Sequence, residues 1–204
     1  MGLYSQVVVP LLCDCGLDRP FVAKYRRGLL AQAGGAILEI GFGTGLNLPH
    51  YPSRVRKLTA VDPNAGMYRR ARKRIKEAGI EVDLRVVSSE QLPFEDNTFD
   101  CVVSTFTLCS IGDVARALWE VYRVLKASGQ FLFLEHGLSP DLKVQKWQHR
   151  LNWLQVRFSG GCHLDRDMRA LITAPPFASV KMEEFYIEKT PKTHGYIYWG
   201  MAKK

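Results

Sequence analysis

A short apolar run followed by three alternating glycines constrains the fold of this chain more than any other feature. The run covers residues 36–40, and its composition is typical of a buried parallel strand. Gly41, Gly43 and Gly45 then occupy alternating positions. Because glycine has no Cβ and tolerates positive φ, a ligand can approach this backbone closely. The residues from Leu46 onward are typical of a helix start, so the pattern predicts the strand, glycine turn and helix that open a nucleotide-binding α/β sheet.

The glycine spacing and the residue before it narrow the choice of ligand. A dinucleotide-binding loop reads G-x-G-x-x-G, whereas this loop reads G-x-G-x-G and is preceded by Glu39. A carboxylate at this position would repel a pyrophosphate, but it suits a ligand that carries a free amino group. A glycine loop alone can also be a simple tight turn, so the interpretation depends on the rest of the chain.

Length and composition predict one globular domain, residues 1–204, which is 47% hydrophobic and 24% charged. The net charge of +8 permits contact with anionic ligands, nucleic acid or a membrane surface, although a solvated basic surface is the simpler explanation. The five cysteines include no C-x-x-C pair. They predict reduced thiols in a cytoplasmic protein, with neither a disulfide framework nor a metal site.

The N-terminal residues 1–34 are expected to form a helical cap and not a membrane anchor. Residues 1–16 are apolar, but Pro10 interrupts them and they fall short of the roughly 18 residues that span a bilayer. Residues 19–33 have apolar positions at helical spacing, which predicts an amphipathic helix that packs on the sheet or covers a ligand. Weak peripheral membrane contact through residues 1–30 is compatible with this composition.

Strand and helix patterns alternate at short intervals as far as residue 136. The predicted strands after the first cover residues 57–61, 82–87, 99–104 and 130–134, and the predicted helices cover 67–78 and 114–126. Asp62 ends the second strand about 20 residues after the glycine loop, where a carboxylate can accept both hydroxyls of a ribose. The alternation predicts an α/β fold with a doubly wound, mostly parallel sheet.

Residues 138–174 break this rhythm and are expected to form a helical cap after the fifth strand. They are rich in aromatic residues at helical spacing, among them Trp147, Trp153 and Phe158. As a substrate cap, this segment would offer those three side chains as apolar walls. An ordinary packed helix is the alternative. Residues 175–204 are expected to add the C-terminal strands.

Four segments of residues 35–137 resemble, in order and spacing, a class I S-adenosylmethionine-dependent methyltransferase. They read ILEIGFGTGLN, VDPN, SSEQLPFEDNTFDCVVS and EVYRVLKASGQFLFLEHG. Further segments are similar to a narrower group, the methyltransferase-like thiol methyltransferases and their bacterial relatives: TFTLCS, LEHG, GCHLDR and THGYIYWGMAKK. The resemblance implies S-adenosyl-L-methionine as the cofactor. It also implies a seven-stranded sheet whose last strand, near residues 196–201, runs antiparallel.

The resemblance implies roles for residues around the methionine part of the cofactor. The three glycines would pass under the methionine and ribose parts. Glu39 would hold the methionine amino group, Asn47 would support the carboxylate end, and Thr105 would lie near the methionine.

A second group of residues is implied for the nucleoside part. Asp62 would accept the ribose hydroxyls, and Pro63 would pack beside the adenine. Ser89 and Glu90 would flank the adenine edge. Relatives often have an aspartate where this chain has Ser88, and that aspartate accepts a hydrogen bond from the adenine amino group. A serine can accept the same hydrogen bond, but its side chain carries no charge.

Methyl transfer from a sulfonium is an in-line displacement, in which positioning of the reactants can supply about 7–11 kcal/mol. A nearby base is useful when the acceptor is an alcohol or a thiol. His136, Glu135 and the 107–109 segment are candidates at the carboxyl edge of the sheet, and His163 is a candidate if the C-terminal part folds over the site. For each histidine a structural role is the alternative.

Two other functions remain open from the sequence. The basic residues 69–76 would suit a nucleic-acid methyltransferase. That function is disfavoured because the fourth strand is not followed by Asn/Asp-Pro-Pro-Tyr/Phe, the segment with which such enzymes methylate the amino groups of nucleic-acid bases. A cofactor-binding module without catalysis is the other alternative. The favoured partner is a small, apolar methyl acceptor, with sulfur slightly ahead of oxygen and nitrogen, and the sequence does not indicate an oligomeric state.

Overall fold

The computed structural model describes residues 4–204, and its centre is a seven-stranded sheet. The strands are β1 (Ile37–Ile40), β2 (Lys57–Val61), β3 (Glu81–Arg85), β4 (Phe99–Thr105), β5 (Leu125–His136), β6 (Ser179–Tyr186) and β7 (Tyr196–Lys203). Their order across the sheet is β3-β2-β1-β4-β5-β7-β6. The first five strands pair in parallel, whereas β7 runs antiparallel to both β5 and β6. The predicted mostly parallel, seven-stranded α/β fold is therefore confirmed.

Helices cover both faces of this sheet. They are α1 (Val9–Leu17), α2 (Pro20–Leu30), α3 (Ala65–Ala78), α4 (Val114–Val124), α5 (Leu142–Phe158) and α6 (Met168–Thr173), with a π-helical turn at Tyr4–Val8 and 3-10 turns at Leu48–His50 and Leu108–Ser110. No helix in the described range, 4–204, is long and apolar enough to cross a bilayer.

Strand β5 shows how one central strand serves two hydrophobic cores. Phe131 and Phe133 are buried in the core that includes α4 and α6. Leu132 and Leu134, which alternate with them, are buried in the core that includes α2 and α3. Successive side chains of a strand point to opposite faces, so a continuous apolar run is what a doubly covered sheet requires.

The helix expected from Leu46 does not form, and this prediction was wrong. Only the 3-10 turn Leu48–His50 follows the glycine loop. Tyr51 then adopts an extended conformation, with φ −66° and ψ 139°. Because a residue before a proline is biased away from the helical region, Pro52 accounts for the early end.

Strand β5 also begins earlier than predicted. Helix α4 ends at Val124, and Leu125 is already extended and pairs with Phe99. The register then shifts before Gln130 pairs with Cys101. The helix predicted over 114–126 therefore ends two residues early, and residues 128–129 lie inside an irregular part of the strand.

Candidate active site

A cavity of about 450 Å³ opens at the carboxyl ends of β1, β2 and β4. The glycine loop and residues 88–90 form part of its wall. Helix α1 covers it with Val9, Cys13 and Leu17, and the turn after α5 adds Ser159 and Gly160. The position agrees with the rule that open α/β sheets bind ligands beyond the carboxyl ends of their strands.

The glycine loop has left-handed backbone conformations that a side chain would disturb. Gly41 has φ +65°, and a Cβ there would overlap Thr107. Gly43 has φ +58°, and the nearest heavy atom to a Cβ there is the carbonyl oxygen of Gly41 at 3.8 Å, so that space belongs to the cavity. Gly45 is not on the cavity wall; a Cβ at this position would contact Leu48.

Asp62 lies on the cavity wall and also holds the loop in place. Its Oδ2 accepts a hydrogen bond from the backbone N–H of Gly43, and its Oδ1 accepts one from Asn64, both at 2.8 Å. Burial raises the pKa of this carboxyl group, and the two N–H donors oppose that effect. Since a carboxylate oxygen has two lone pairs, each oxygen retains one for a ligand hydroxyl.

A buried polar network surrounds the other end of the cavity. Glu39 accepts hydrogen bonds from Tyr51 Oη at 2.6 Å and from Asn47 Nδ2 at 3.0 Å. Arg26, on α2, donates through Nη1 to Asn47 Oδ1 at 2.6 Å and to Thr105 Oγ1 at 2.8 Å. The structure thus brings together three predicted residues and two that were not predicted, Arg26 and Tyr51.

The charges of this network are perturbed by burial. Desolvation raises the pKa of Glu39 to about 7, although the hydrogen bonds from Tyr51 and Asn47 lower it. Desolvation also lowers the pKa of Arg26 to about 10. Arg26 Nε is buried and has no hydrogen-bond partner among the described residues. A guanidinium with an unused donor on a cavity wall is suited to an anionic group of a ligand.

The sequence carried one signal for Arg26. It lies four residues after Val22 on α2, so it falls on the apolar stripe that faces the sheet, and both side chains are buried. A charged residue within an apolar stripe is unusual unless it is paired or functional. Tyr51 had no comparable signal, because a buried tyrosine after a loop is ordinary.

Pro63, Ser89 and Glu90 also line the cavity, as does Ser88. Ser89 is buried. Glu90 Oε1 accepts a hydrogen bond from the backbone N–H of Asp113 at 2.9 Å, which ties it to the start of α4. Residues 88–90 therefore form a wall between the end of β3 and α4, and Pro63 adds to the lining from the end of β2.

Neither candidate catalytic histidine lies on the cavity wall. His136 is buried, with Nε2 at 3.0 Å from Cys162 Sγ. His163 is half-buried, its Nδ1 lies 3.3 Å from Asn152 Nδ2, and burial lowers its pKa. The structure therefore gives neither histidine a direct path to a ligand in the cavity.

Glu135 holds the backbone turn after β4. Its carboxylate accepts hydrogen bonds from Ser104 Oγ at 2.6 Å, Thr107 N–H at 2.9 Å and Leu108 N–H at 3.1 Å. Phe106, between them, has φ +53°, a strained conformation for a bulky residue. Glu135 thus positions Phe106 and Thr107, which line the cavity, and is not free to act as a base.

The proposed aromatic walls are not where the sequence suggested. Trp147, Trp153 and Phe158 are on α5, but they are more than half exposed and do not line the cavity. The helical spacing of the aromatic residues predicted the helix correctly. It did not predict which side of the helix faces the cavity. The cap contributes to the cavity through Ser159 and Gly160 instead.

Two arginines of the basic helix α3 are engaged within the protein. Arg70 Nε donates to Asp14 at 3.0 Å. Arg74 donates to Asp14 at 3.2 Å and to Asp18 at 3.1 Å. Part of the basic run therefore attaches α1 to α3.

Together, the sheet and the cavity at the carboxyl ends of its strands define an α/β protein with a largely buried polar site. Residues 38–133 match the family model described as a methyltransferase domain. The chain belongs to the S-adenosylmethionine-dependent methyltransferases: it is an enzyme of this type, and S-adenosyl-L-methionine is its cofactor.

Two curated relatives differ in the acceptor that their names state. The chain is 32% identical over 174 residues to a phosphatidylethanolamine N-methyltransferase of Cereibacter sphaeroides, covering 81% of this chain and 77% of the relative. It is 33% identical over 151 residues to the thiol S-methyltransferase TMT1B of Rattus norvegicus, covering 72% of this chain and 62% of the relative. The chain thus spans less than two thirds of the second relative.

Among solved structures, an S-adenosylmethionine-dependent methyltransferase of Thermotoga maritima has the same fold. The TM-score is 0.69 at 19% sequence identity, and the match covers 98% of each chain.

Proposed function

We propose that this enzyme methylates a small apolar molecule and that a thiol is the favoured acceptor. The observation that carries the proposal is that the described cavity wall leaves no base for the acceptor once the cofactor contacts proposed below are made. That wall contains no histidine or lysine. Its carboxylates, Glu39, Asp62 and Glu90, all accept hydrogen bonds from the protein, and we assign all three to the cofactor.

A wall without a free base favours acceptors that ionise without help. Burial raises the pKa of the Cys13 thiol on this wall to about 11, so Cys13 is also a poor base. A thiol such as that of cysteine has an ordinary pKa of about 8.5 and is already partly ionised near neutral pH, whereas an alcohol needs a positioned base. The apolar wall residues Val9, Leu17 and Ile111 suit a hydrophobic acceptor.

For the methionine end of the cofactor, we propose that Arg26 and Asn47 bind the carboxylate and that Glu39 binds the amino group. Burial makes each charged contact stronger than it would be in water. Thr105 would hold Arg26 and Asn47 in position through its Oγ1.

For the nucleoside end, we propose that Asp62 binds the ribose hydroxyls and that Pro63, Ser89 and Glu90 flank the adenine. Gly41 and Gly43 would allow the cofactor to approach the backbone, and Gly45 would preserve the loop conformation. Because all of these residues except Gly45 line the same cavity, one cofactor molecule could contact them together.

The first test is turnover of S-adenosylmethionine by the purified protein. Small apolar thiols, phenols and amines would be compared, with RNA and no acceptor as separate arms. We expect S-adenosylhomocysteine to form fastest with thiols. Product with RNA alone would overturn the proposed acceptor class, and cofactor binding without any turnover would favour the non-catalytic alternative.

The second test separates acceptor ionisation from an enzyme base. Thiols with different pKa values would be compared over a range of pH, and kcat/KM would be measured. If the acceptor ionises in solution, the midpoint of the pH profile should move with the pKa of the thiol. A midpoint that stays at one pH for every thiol would show that a group of the enzyme removes the proton.

We also propose that the enzyme works in the cytoplasm and contacts membrane surfaces weakly. Val7, Leu11 and Leu12 near the cavity cover are each exposed by nearly half, so the N-terminal segment presents apolar side chains. Salt-sensitive cosedimentation with anionic vesicles would support the contact, and Leu11→Ser should reduce it. No cosedimentation at low salt would exclude it.

A further inference from the structure

We propose that Cys109, His136 and Cys162 form a binding site for a zinc ion beneath the cofactor cavity. The three ligand atoms lie within 4.8 Å of one another. The residues come from the 3-10 turn after β4, the end of β5 and the turn after α5, and they are distant in sequence. No local motif such as C-x-x-C can therefore reveal this grouping from the sequence.

The spacing of the ligand atoms is close to what one zinc ion requires. Zn–S bonds of about 2.3 Å and Zn–N bonds of about 2.0–2.1 Å place tetrahedral ligand atoms about 3.4–3.8 Å apart. His136 Nε2 lies 3.0 Å from Cys162 Sγ. Small side-chain adjustments would thus accommodate the ion without moving the backbone.

The polar contacts of the three side chains leave their ligand atoms available. Cys109 Sγ lies 3.8 Å from the carbonyl oxygen of Phe106 and 3.5 Å from Ser110 Oγ, and Cys162 Sγ lies 3.5 Å from Gln155 Nε2. His136 Nδ1 has no hydrogen-bond partner among the described residues. The imidazole ring makes its polar contact through Nε2, with Cys162 Sγ. Two thiolates would balance the charge of a divalent zinc ion in this buried place.

The surrounding backbone brings the ligands together. Gly160 and Gly161 both have positive φ, +64° and +85°, which turns the chain sharply just before Cys162. The N–H of His163 donates to the carbonyl oxygen of Cys109 at 2.8 Å. The three ligands are at most 8% exposed.

The proposed site can be distinguished from the cofactor site. Two thiolates and one imidazole leave a fourth tetrahedral position, which water or another small ligand would occupy. Ser110, next to Cys109, and Gly160, two residues before Cys162, line the cofactor cavity. A bound ion would therefore fix the part of the wall made by the turns after β4 and α5, and zinc binding does not require that the proposed acceptor be correct.

The test is metal binding by the full chain in the absence of cofactor and acceptor. Protein freed of metal under reducing conditions would be titrated with Zn²⁺, and its zinc content measured after removal of excess ion. We expect one zinc ion per chain in the wild type and in Cys15→Ser, whose cysteine is exposed and outside the cluster. Cys109→Ser and Cys162→Ser should each lose most of the bound zinc.

Cobalt(II) provides a spectroscopic test of the ligand set. The cobalt form should show thiolate-to-cobalt charge transfer and the strong visible bands of tetrahedral coordination, and Cys162→Ser should weaken the charge-transfer band. Wild type that retains no zinc, or cysteine variants that retain it fully, would overturn the proposal.

Alkylation of the wild type covers the case in which a variant fails to fold. Zinc should slow alkylation of Cys109 and Cys162 at least tenfold relative to Cys15, as measured by peptide mass spectrometry. Equal alkylation with and without zinc would overturn the proposal, as would a disulfide between Cys109 and Cys162 that resists treatment with a reducing agent.

Discussion

Asp62 combines two functions in one residue, because its carboxylate supports Gly43 and faces the cavity. We predict that Asp62→Ala weakens S-adenosylmethionine binding at least tenfold, since a hydrogen bond to a charged acceptor contributes about 1.5–3 kcal/mol. Isothermal titration calorimetry would measure the affinity. Asp141→Ala is a matched control, because Asp141 also accepts a backbone N–H, at the start of α5, but lies off the cavity wall. Unchanged affinity in Asp62→Ala would place the ribose elsewhere.

Glu39 should release a proton when the cofactor binds. Its pKa of about 7 leaves it about half protonated at neutral pH, and a cationic amino group beside it would favour the ionised form. We predict release of up to about half a proton per cofactor bound at pH 7. Calorimetry in buffers of different ionisation enthalpy would measure it. Glu39→Gln should abolish the release, and an equal release by this variant would assign the proton to another group.

At the scale of elements, the carboxylate of Asp14 attaches helix α1 to both the glycine loop and α3. Asp14 accepts hydrogen bonds from Thr44 Oγ1 in the glycine loop at 2.5 Å and from Arg70 and Arg74 of α3. A short helix is only marginally stable alone, so α1 depends on this attachment and on packing. The attachment couples the position of the cover to the glycine loop.

We predict that Asp14→Ala loosens α1 without disrupting the sheet. Amide hydrogen exchange in residues 9–17 should become faster, and cofactor dissociation should accelerate several-fold in stopped-flow measurements. Asp18→Ala is the control, because Asp18 is paired with Arg74 and is much more exposed than Asp14. If both variants release the cofactor at the wild-type rate, α1 does not control access to the cavity.

The elements also show what could be predicted from sequence. The first five strands and the position of Asp62 followed from local patterns, since buried runs and a carboxylate at a strand end carry their own signals, whereas the antiparallel last strand followed from the family resemblance. Within the expected helical cap 1–34, the apolar spacing located a helix only at 19–33; α1 precedes it, with Pro10 in its first turn, where proline is tolerated. The partners of His136 and Glu135 depend on contacts between segments distant in sequence, which no local pattern encodes.

At the scale of the whole molecule, burial of Glu39 makes the cofactor-free protein less stable at high pH. A group whose folded pKa is raised stabilises the protein while it is protonated, so this contribution is complete below its unfolded pKa. It is lost as the pH rises through the folded pKa. With a rise from 4.5 to about 7, the loss at pH 8 is about 3 kcal/mol.

We therefore predict that Glu39→Gln is more stable than the wild type at pH 8 and that the advantage shrinks by most of this amount at pH 5. The comparison isolates Glu39, because other titrating groups are common to both proteins and cancel. Denaturant unfolding without cofactor would measure the free energy of unfolding at each pH. Glu77→Gln, at an exposed glutamate of α3, is the control for replacing a carboxyl group by an amide. A difference between wild type and Glu39→Gln that is constant from pH 5 to pH 8 would mean that Glu39 stays ionised in the folded protein. The buried network would then have to be organised around a full ion pair with Arg26 and not around a carboxyl group that titrates near neutral pH.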